Sequence, residues 1–528
     1  MRAQRSSKAK EPLTGQLDRD LDRLKTICGE RNADLILRRF RLWTRPEVKL
    51  AVFYVEGLVD RTTLNLAILQ PLMILSRLTV PEIGRSSPEE LLSFLAAQLI
   101  PASPATTVSN LDELIDHVAT GETGVLVDGV PKALAVETKS WEHRSITEPS
   151  TEAVIRGPRE GFNEVLRSNT ALLRRRIRSP RLRLDPVKVG LLSQTDLVVG
   201  WVKGLTNQGL VAEVKRRLQT IQTDWIPDSG YIEQYLEDFP LSPFPQFQYT
   251  ERPDRACAAL LEGRVVILVD GSPLALIIPG GLSNYIATAE DYYERFPYGS
   301  LLRLMRLFAA IIALTLPAVY IAVTTFHQEL LPTTLVLAFA AAREPVPFPA
   351  LLEAVLMIGA LELTREAGLR LPSPIGQTVG IVAALLLGQA AVAAGLASPI
   401  MVIVVALTGL ASFAVPHYAS GLPLRWLGFP LMALGGTLGL FGVTAGVVAL
   451  ILHLAGLSSL GIPYLEPLWR PRYAFQDLFI RLPLWTIRRR PSYLEPQDAV
   501  RQATRVRRWA EEQDGQGETG QDQKENEP

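Results

Sequence analysis

The sequence predicts two related α/β domains, soluble and N-terminal, followed by an all-α polytopic membrane domain. Three observations carry that reading. Between Leu371 and Leu465 the only Asp, Glu, Lys or Arg is Arg425, whereas soluble chains carry roughly a quarter charged residues. Several uncharged stretches there are long enough to cross a bilayer as helices. Ahead of them, two segments repeat. Ala51–Asp60 (AVFYVEGLVD) is echoed by Val198–Asn207 (VVGWVKGLTN), and Gly124–Val136 (GVLVDGVPKALAV) by Val265–Ile277 (VVILVDGSPLALI), at offsets of 147 and 142 residues.

Taken in order, residues 1–32 are charged and read as a flexible N-terminus without the apolar core of a secretory signal. Residues 33–145 form the first α/β copy; 146–298 hold a linker and the second. In each copy a strand, an Asp-Gly turn and a second strand predict a hairpin. Asp128–Gly129 and Asp270–Gly271 therefore read as turns, because glycine tolerates positive φ, rather than as ligand sites. Between the copies Arg174, Arg175, Arg176, Arg178, Arg181 and Arg183 form a basic run. Anionic lipid, at roughly 1 kcal/mol per residue near the surface, and a solvated strand face fit it equally.

Residues 299–460 form the membrane domain, with spans at Leu302–His327, Thr378–Leu396, Pro399–His417 and Trp426–Leu454. Residues 329–370 carry Glu353, Glu362, Arg365 and Glu366 on apolar segments, with Pro345, Pro347 and Pro349 between them. Ionised groups are costly in lipid. A re-entrant or interfacial hairpin broken at the prolines fits, and a fifth span competes with it. Gly435, Gly439, Gly442 and Gly446 stud the last span at GxxxG spacing, which lets helices approach closely. Residues 461–510 are basic and 511–528 an acidic tail without large apolar residues, expected to be disordered. The arginines after the last span, with Arg303 and Arg306 at the start of the first, put both flanks in the cytoplasm by the positive-inside rule. That requires an even number of crossings.

Balanced charge disfavours a nucleic-acid partner. Cys28 and Cys257 lie far apart, and the five histidines have no partner at metal-ligand spacing. Walker A, GxGxxG, HExxH and GxSxG motifs are absent. Neither an enzyme nor a metal or other cofactor is expected.

Arg156-Gly157-Pro158-Arg159-Glu160-Gly161-Phe162 resembles the RGPxEGF signature of the A subunit of GerA-type spore germinant receptors. So do Asp228–Glu233 (DSGYIE), Thr250–Asp254 (TERPD), Glu290–Tyr293 (EDYY), Thr325–Pro332, Arg343–Ala350, Arg365–Pro372 and Gly388–Pro399, in order, from about residue 33 to 490. The resemblance implies a nutrient-receptor subunit in the spore inner membrane, its soluble domains and C-terminus cytoplasmic. It implies a transporter-like B subunit and a lipoprotein C subunit as partners, and a homo-oligomeric ring that conducts ions. A sporulation stage-V paralogue shares much of the signature.

For such a channel, Gln377, Gly380, Gly388 and Gln389 are candidate pore-lining residues, the first three near one helical face. Glu353 and Glu362 are candidate cation-attracting groups. In the competing reading the glutamines hold helices together and the glutamates pair with Arg365 or Arg370. Arg156 and Glu160 of the signature, with Gly157, Pro158 and Phe162, either pair within one helix or contact a neighbouring protomer. A secondary transporter and a non-conducting scaffold are the alternatives from other classes. The transporter is disfavoured because such folds place their repeats in the membrane half.

Overall fold

The computed structural model describes residues 11–29, 32–42, 48–75, 92, 105–138, 148–149, 151–370, 388–469 and 474–503. They fall into two compact units. The first comprises 1–237, 247–279 and 483–528; the second, 238–246 and 280–482.

The first unit is duplicated, as the repeats predict. Strands β1 (Leu35–Leu42), β2 (Val48–Val55), β3 (Ala105–Val108), β4 (Glu122–Val127) and β5 (Ala133–Glu137) form an antiparallel sheet in the order β1-β2-β4-β5-β3. Strands β6 (Leu182–Val189), β7 (Thr195–Val202), β8 (Gln248–Thr250), β9 (Val265–Val269) and β10 (Ala275–Ile278) repeat it as β6-β7-β9-β10-β8. Both faces of the first sheet are covered. Alternation along β2 sends Leu50, Val52 and Tyr54 into one core and Ala51, Phe53 and Val55 into another.

The Asp-Gly turns do the structural work expected of them, and more. Gly129 and Gly271 have φ of 86° and 84°. Asp128 Oδ1 accepts from the backbone N of Leu17 at 3.1 Å, and Asp270 Oδ1 from that of Leu166 at 3.2 Å. Each aspartate thus satisfies an orphan N–H at the start of a helix, α1 (Leu17–Cys28) in one copy and α3 (Leu166–Arg176) in the other. Asp60 and Asn207, which end the other repeated segment, cap the helical stretches that follow them.

For the described residues 11–29, helix α1 corrects the expectation of a flexible N-terminus over 1–32. Leu17, Leu21, Leu24 and Cys28, spaced by four, three and four, are buried against the first sheet and against α2 (Leu111–Ala119). Asp18, Arg19, Asp22 and Lys25 lie on the outer face, while Asp20 is buried and accepts from the Thr14 N–H and hydroxyl. The described part of the basic segment also divides: residues up to 482 belong to the helical unit, and 483–503 return to the second α/β copy. There Tyr493 Oη accepts from Arg264 at 3.0 Å and the Arg490 guanidinium reaches the Leu261 carbonyl at 2.8 Å.

In the second α/β copy, α4 (Gln208–Thr220), α5 (Ser229–Leu236) and α6 (Pro253–Glu262) accompany α3. The helical unit contains α7 (Phe296–Phe326), α8 (Thr333–Arg343), α9 (Ala350–Arg370), α10 (Pro399–Phe413) and α11 (Tyr418–Gly456). Four of them share a core that includes Ile321, Ala354, Ile358, Met401, Val405, Leu431 and Met432. The break expected at the prolines separates α8 from α9.

Among the described residues two helices, Phe296–Phe326 and Tyr418–Gly456, are long and apolar enough to cross a membrane. The second is not one straight span, as Trp426–Leu454 was expected to be. Gly439 has φ 63° and ψ −147°, outside the helical region. Side chains separated by many residues meet across it: a Cβ placed on Gly446 would lie 2.6 Å from Leu431 Cδ1, and one on Gly435 3.2 Å from Val443 Cγ2. The chain folds back at Gly439. The GxxxG glycines let the two arms of this hairpin touch. The expected span Thr378–Leu396 lies mostly outside the described residues.

Candidate functional site

The signature block lies ahead of α3 and is not helical, so the expected pairing of Arg156 with Glu160 along a helix does not form. Glu160 instead takes the guanidiniums of Arg175 and Arg176. Burial alone would push its carboxyl up; the paired guanidiniums outweigh that and hold it below its usual range. Phe162 is buried in the core of the second copy, and its N–H donates to the Glu251 carbonyl at 2.7 Å. The buried Arg252 donates to the carbonyl of Pro158 at 2.9 Å, to that of Glu152 at 3.2 Å and to Asp254 at 3.0 Å. Thus two blocks almost a hundred residues apart, RGPREGF and TERPD, are one structural object. Gly157 sits at φ 139°, and Arg156 is exposed.

The basic run is absorbed by the α/β unit. Arg174 Nε and Nη2 meet Asp34 at 2.7 and 3.1 Å, with both residues buried. Arg181 reaches the carbonyls of Lys203 and Gly204, and Arg183 that of Ile27. The side chains of Arg174 and Arg183 come from the second copy and their partners from the first, so the run joins the copies. Sequence reasoning missed this, since a run of like charges does not announce its acceptors.

In DSGYIE, Asp228 caps α5 by accepting from the Gly230 N–H at 3.1 Å. Glu233 is pushed up to about 7 by burial, then by the negative charges of Glu237 and Asp228. An unfolded glutamate titrates near 4.5, so between these values the folded state holds a proton that the unfolded state has released. Stability from this group is therefore fully present below about pH 4.5 and is lost as pH rises towards 7. Glu233→Gln should stabilise the fold by about 1–3 kcal/mol at pH 8 and leave it unchanged at pH 4. Denaturant midpoints at the two pH values check this.

At the start of α7, EDYY supplies a buried charge network. Asp291, fully buried, accepts from Arg303 Nε at 3.0 Å and Arg306 Nη1 at 2.7 Å. Arg303 also meets Asp477 at 3.2 Å, and Tyr292 Oη donates to Asp477 at 2.8 Å. Arg481 donates to the Glu294 carbonyl at 2.8 Å. The arginines read from sequence as topological signals thus tie the segment after α11 to the first apolar helix.

Deeper in the helical unit, Glu353 is fully buried, and its Oε1 accepts from the N–H and Oγ of Ser398 at 2.6 and 2.7 Å. Ser398 caps α10, so the carboxylate sits where the helix dipole favours negative charge. Glu362 pairs with Arg365 at 2.7 Å, as the competing reading allowed, and with Arg425 at 3.4 Å. Gly388 lies beside Val402 of α10, and Gln389 is exposed. Gln377 and Gly380 lie outside the described residues. Among the described residues no group of three or more His, Cys, Asp or Glu side chains could hold a metal ion.

The family model described as Bacillus/Clostridium GerA spore germination protein matches residues 22–493. Spore germination protein KA of Bacillus subtilis (strain 168) is 40% identical over 472 residues, covering 89% of this chain and 85% of that one. The uncharacterized membrane protein YfkQ of the same organism is 40% identical over 91% of each chain. Among solved structures, the N-terminal domain of the A subunit of the Bacillus megaterium spore germinant receptor GerK3 is 29% identical, covering 51% of this chain and 97% of that one, with a TM-score of 0.41. With the family model matched from helix α1 to Tyr493, the chain belongs to the GerA spore germination protein family.

Proposed function

We propose that this chain is the membrane-embedded A subunit of a nutrient germinant receptor in the inner membrane of a bacterial spore. In this reading it acts with a transporter-like B subunit and a lipoprotein C subunit, and oligomerises into a ligand-gated ion channel. The observation that carries the proposal is the family match over residues 22–493. Membrane insertion is supported by the helical unit itself. In the most apolar window of Phe296–Phe326 only 39% of residues are buried, and in that of Tyr418–Gly456 only 22%. Phe308, Ile311, Leu407, Leu410, Phe441 and Ile451 are exposed. A soluble core helix would bury such residues, and a wide exposed apolar surface fits lipid or a partner. Both arginine-rich flanks then belong on the cytoplasmic side.

Gln377, Gly380, Gly388 and Gln389 are the pore-lining candidates. Glu353 and Glu362 carry the cation-attracting role less far, because each is already held by partners on the helices. Exposed Arg156, on the rigid block formed with Arg252, is the candidate contact between protomers. Purified full-length chain in liposomes tests the function. Ion flux without solute uptake supports the channel, solute uptake the transporter, and silence the scaffold. Gln377→Leu and Gln389→Leu should each lower ion flux by roughly threefold or more. Unchanged flux in both would remove these residues from the conduction path.

A further inference from the structure

The helical unit holds a charge cluster to which nothing above assigns a ligand. A cavity of about 20 Å³ is lined by Glu362 and Arg365 of α9, Thr408 and Ser412 of α10, Arg425 of α11 and apolar side chains including Pro317 of α7. Two guanidiniums face one carboxylate. Arg365 is nine-tenths buried: its Nη1 donates to Glu362 and its Nη2 to Ser412 Oγ at 3.0 Å, while its Nε has no partner among the described residues. Arg425 is nearly as buried and shares the same carboxylate.

The hydroxyls do not supply the missing negative charge. Thr408 and Ser412 donate to carbonyls of their own helix, at 2.7 and 2.6 Å. Aromatic faces lie 4.7 Å from Arg365 (Phe413) and 5.1 Å from Arg425 (Tyr418). Such contacts offset only part of the several kcal/mol that an uncompensated buried charge costs. The excess is one positive charge, and the space would hold about one or two waters. A phosphate or carboxylate ligand is too large for it.

We propose that this cavity is a binding site for a monatomic anion of chloride size, held by Arg365 and Arg425 at the junction of α9, α10 and α11. The site does not depend on whether the chain conducts ions. It would fasten these helices together by completing their charge balance.

Thermal unfolding of the full chain in detergent, with chloride replaced by gluconate at constant ionic strength, is the test. Chloride or bromide should raise Tm by several degrees in a saturable way, and gluconate should not. Arg425→Gln should abolish the halide response. Glu362→Gln, which removes the competing carboxylate, should shift half-saturation to roughly tenfold lower chloride. A wild-type Tm indifferent to halide would overturn the proposal, leaving water as the occupant. So would an equal rise in sulfate, the mark of general salting-out, or an unaltered halide response in both variants.

Discussion

Arg174→Ala is expected to destabilise the α/β unit by about 3–5 kcal/mol, because it leaves the Asp34 carboxylate buried without its guanidinium. Asp34 is fully buried, Arg174 is 5% exposed, and the two meet through two charge-assisted hydrogen bonds. Arg174 Nη1 also donates to the Leu182 carbonyl at 3.0 Å, so the variant strands a buried acceptor as well. Asp34→Ala should cost a comparable amount. Asp34→Ala combined with Arg174→Met should recover much of the loss, since an apolar pair of similar volume carries no desolvation penalty. Denaturant unfolding of the full chain in detergent, followed by tryptophan fluorescence, measures all three. A loss below about 1 kcal/mol in Arg174→Ala would mean that water screens the pair as it does at a surface.

Arg303→Ala should be at least as damaging, again about 3–5 kcal/mol, because one residue serves two carboxylates. Asp291 would keep Arg306 at 2.7 Å and Asp477 would keep the Tyr292 hydroxyl at 2.8 Å. Neither replaces a guanidinium that bridges both and lies over the Tyr292 ring at 5.2 Å. Arg303→Lys should rescue only part of the loss, since a point-like ammonium cannot present the planar fork that two acceptors need. The readout is the thermal midpoint of the helical unit in detergent. Full rescue by lysine would show that charge alone, without geometry, holds this base.

The duplication was legible because its two most regular pieces, the Gly-Leu turn and the Asp-Gly hairpin, are local: each is written in about ten consecutive residues. What joins the copies was not. Asp34 and Arg174 are 140 positions apart, and neither residue type signals a partner at that range. Helix α1 was legible in principle through the spacing of Leu17, Leu21, Leu24 and Cys28, but its charged outer face dominates the composition of the segment. The signature residues were found by resemblance. Their physical role, with Arg252 gripping the Pro158 carbonyl, needed the fold. Glu362 shows the same limit from the other side. A glutamate in an apolar stretch invites a cation when read by sequence, and the fold sets it beside Arg365 and Arg425.

A glycine repeat in an apolar helix reads the same whether it invites another helix or permits a reversal, which is why the turn at Gly439 was hidden. Straight, the 39 residues of α11 would form a rod about 58 Å long, nearly twice the thickness of a hydrocarbon layer. Doubled back, they become two arms of about 30 and 25 Å, each commensurate with it. If lipid surrounds them, the polypeptide leaves this element on the face where it entered. The sidedness of everything downstream, including residues 483–503 that rejoin the α/β unit, then hangs on one backbone angle at one residue without a side chain.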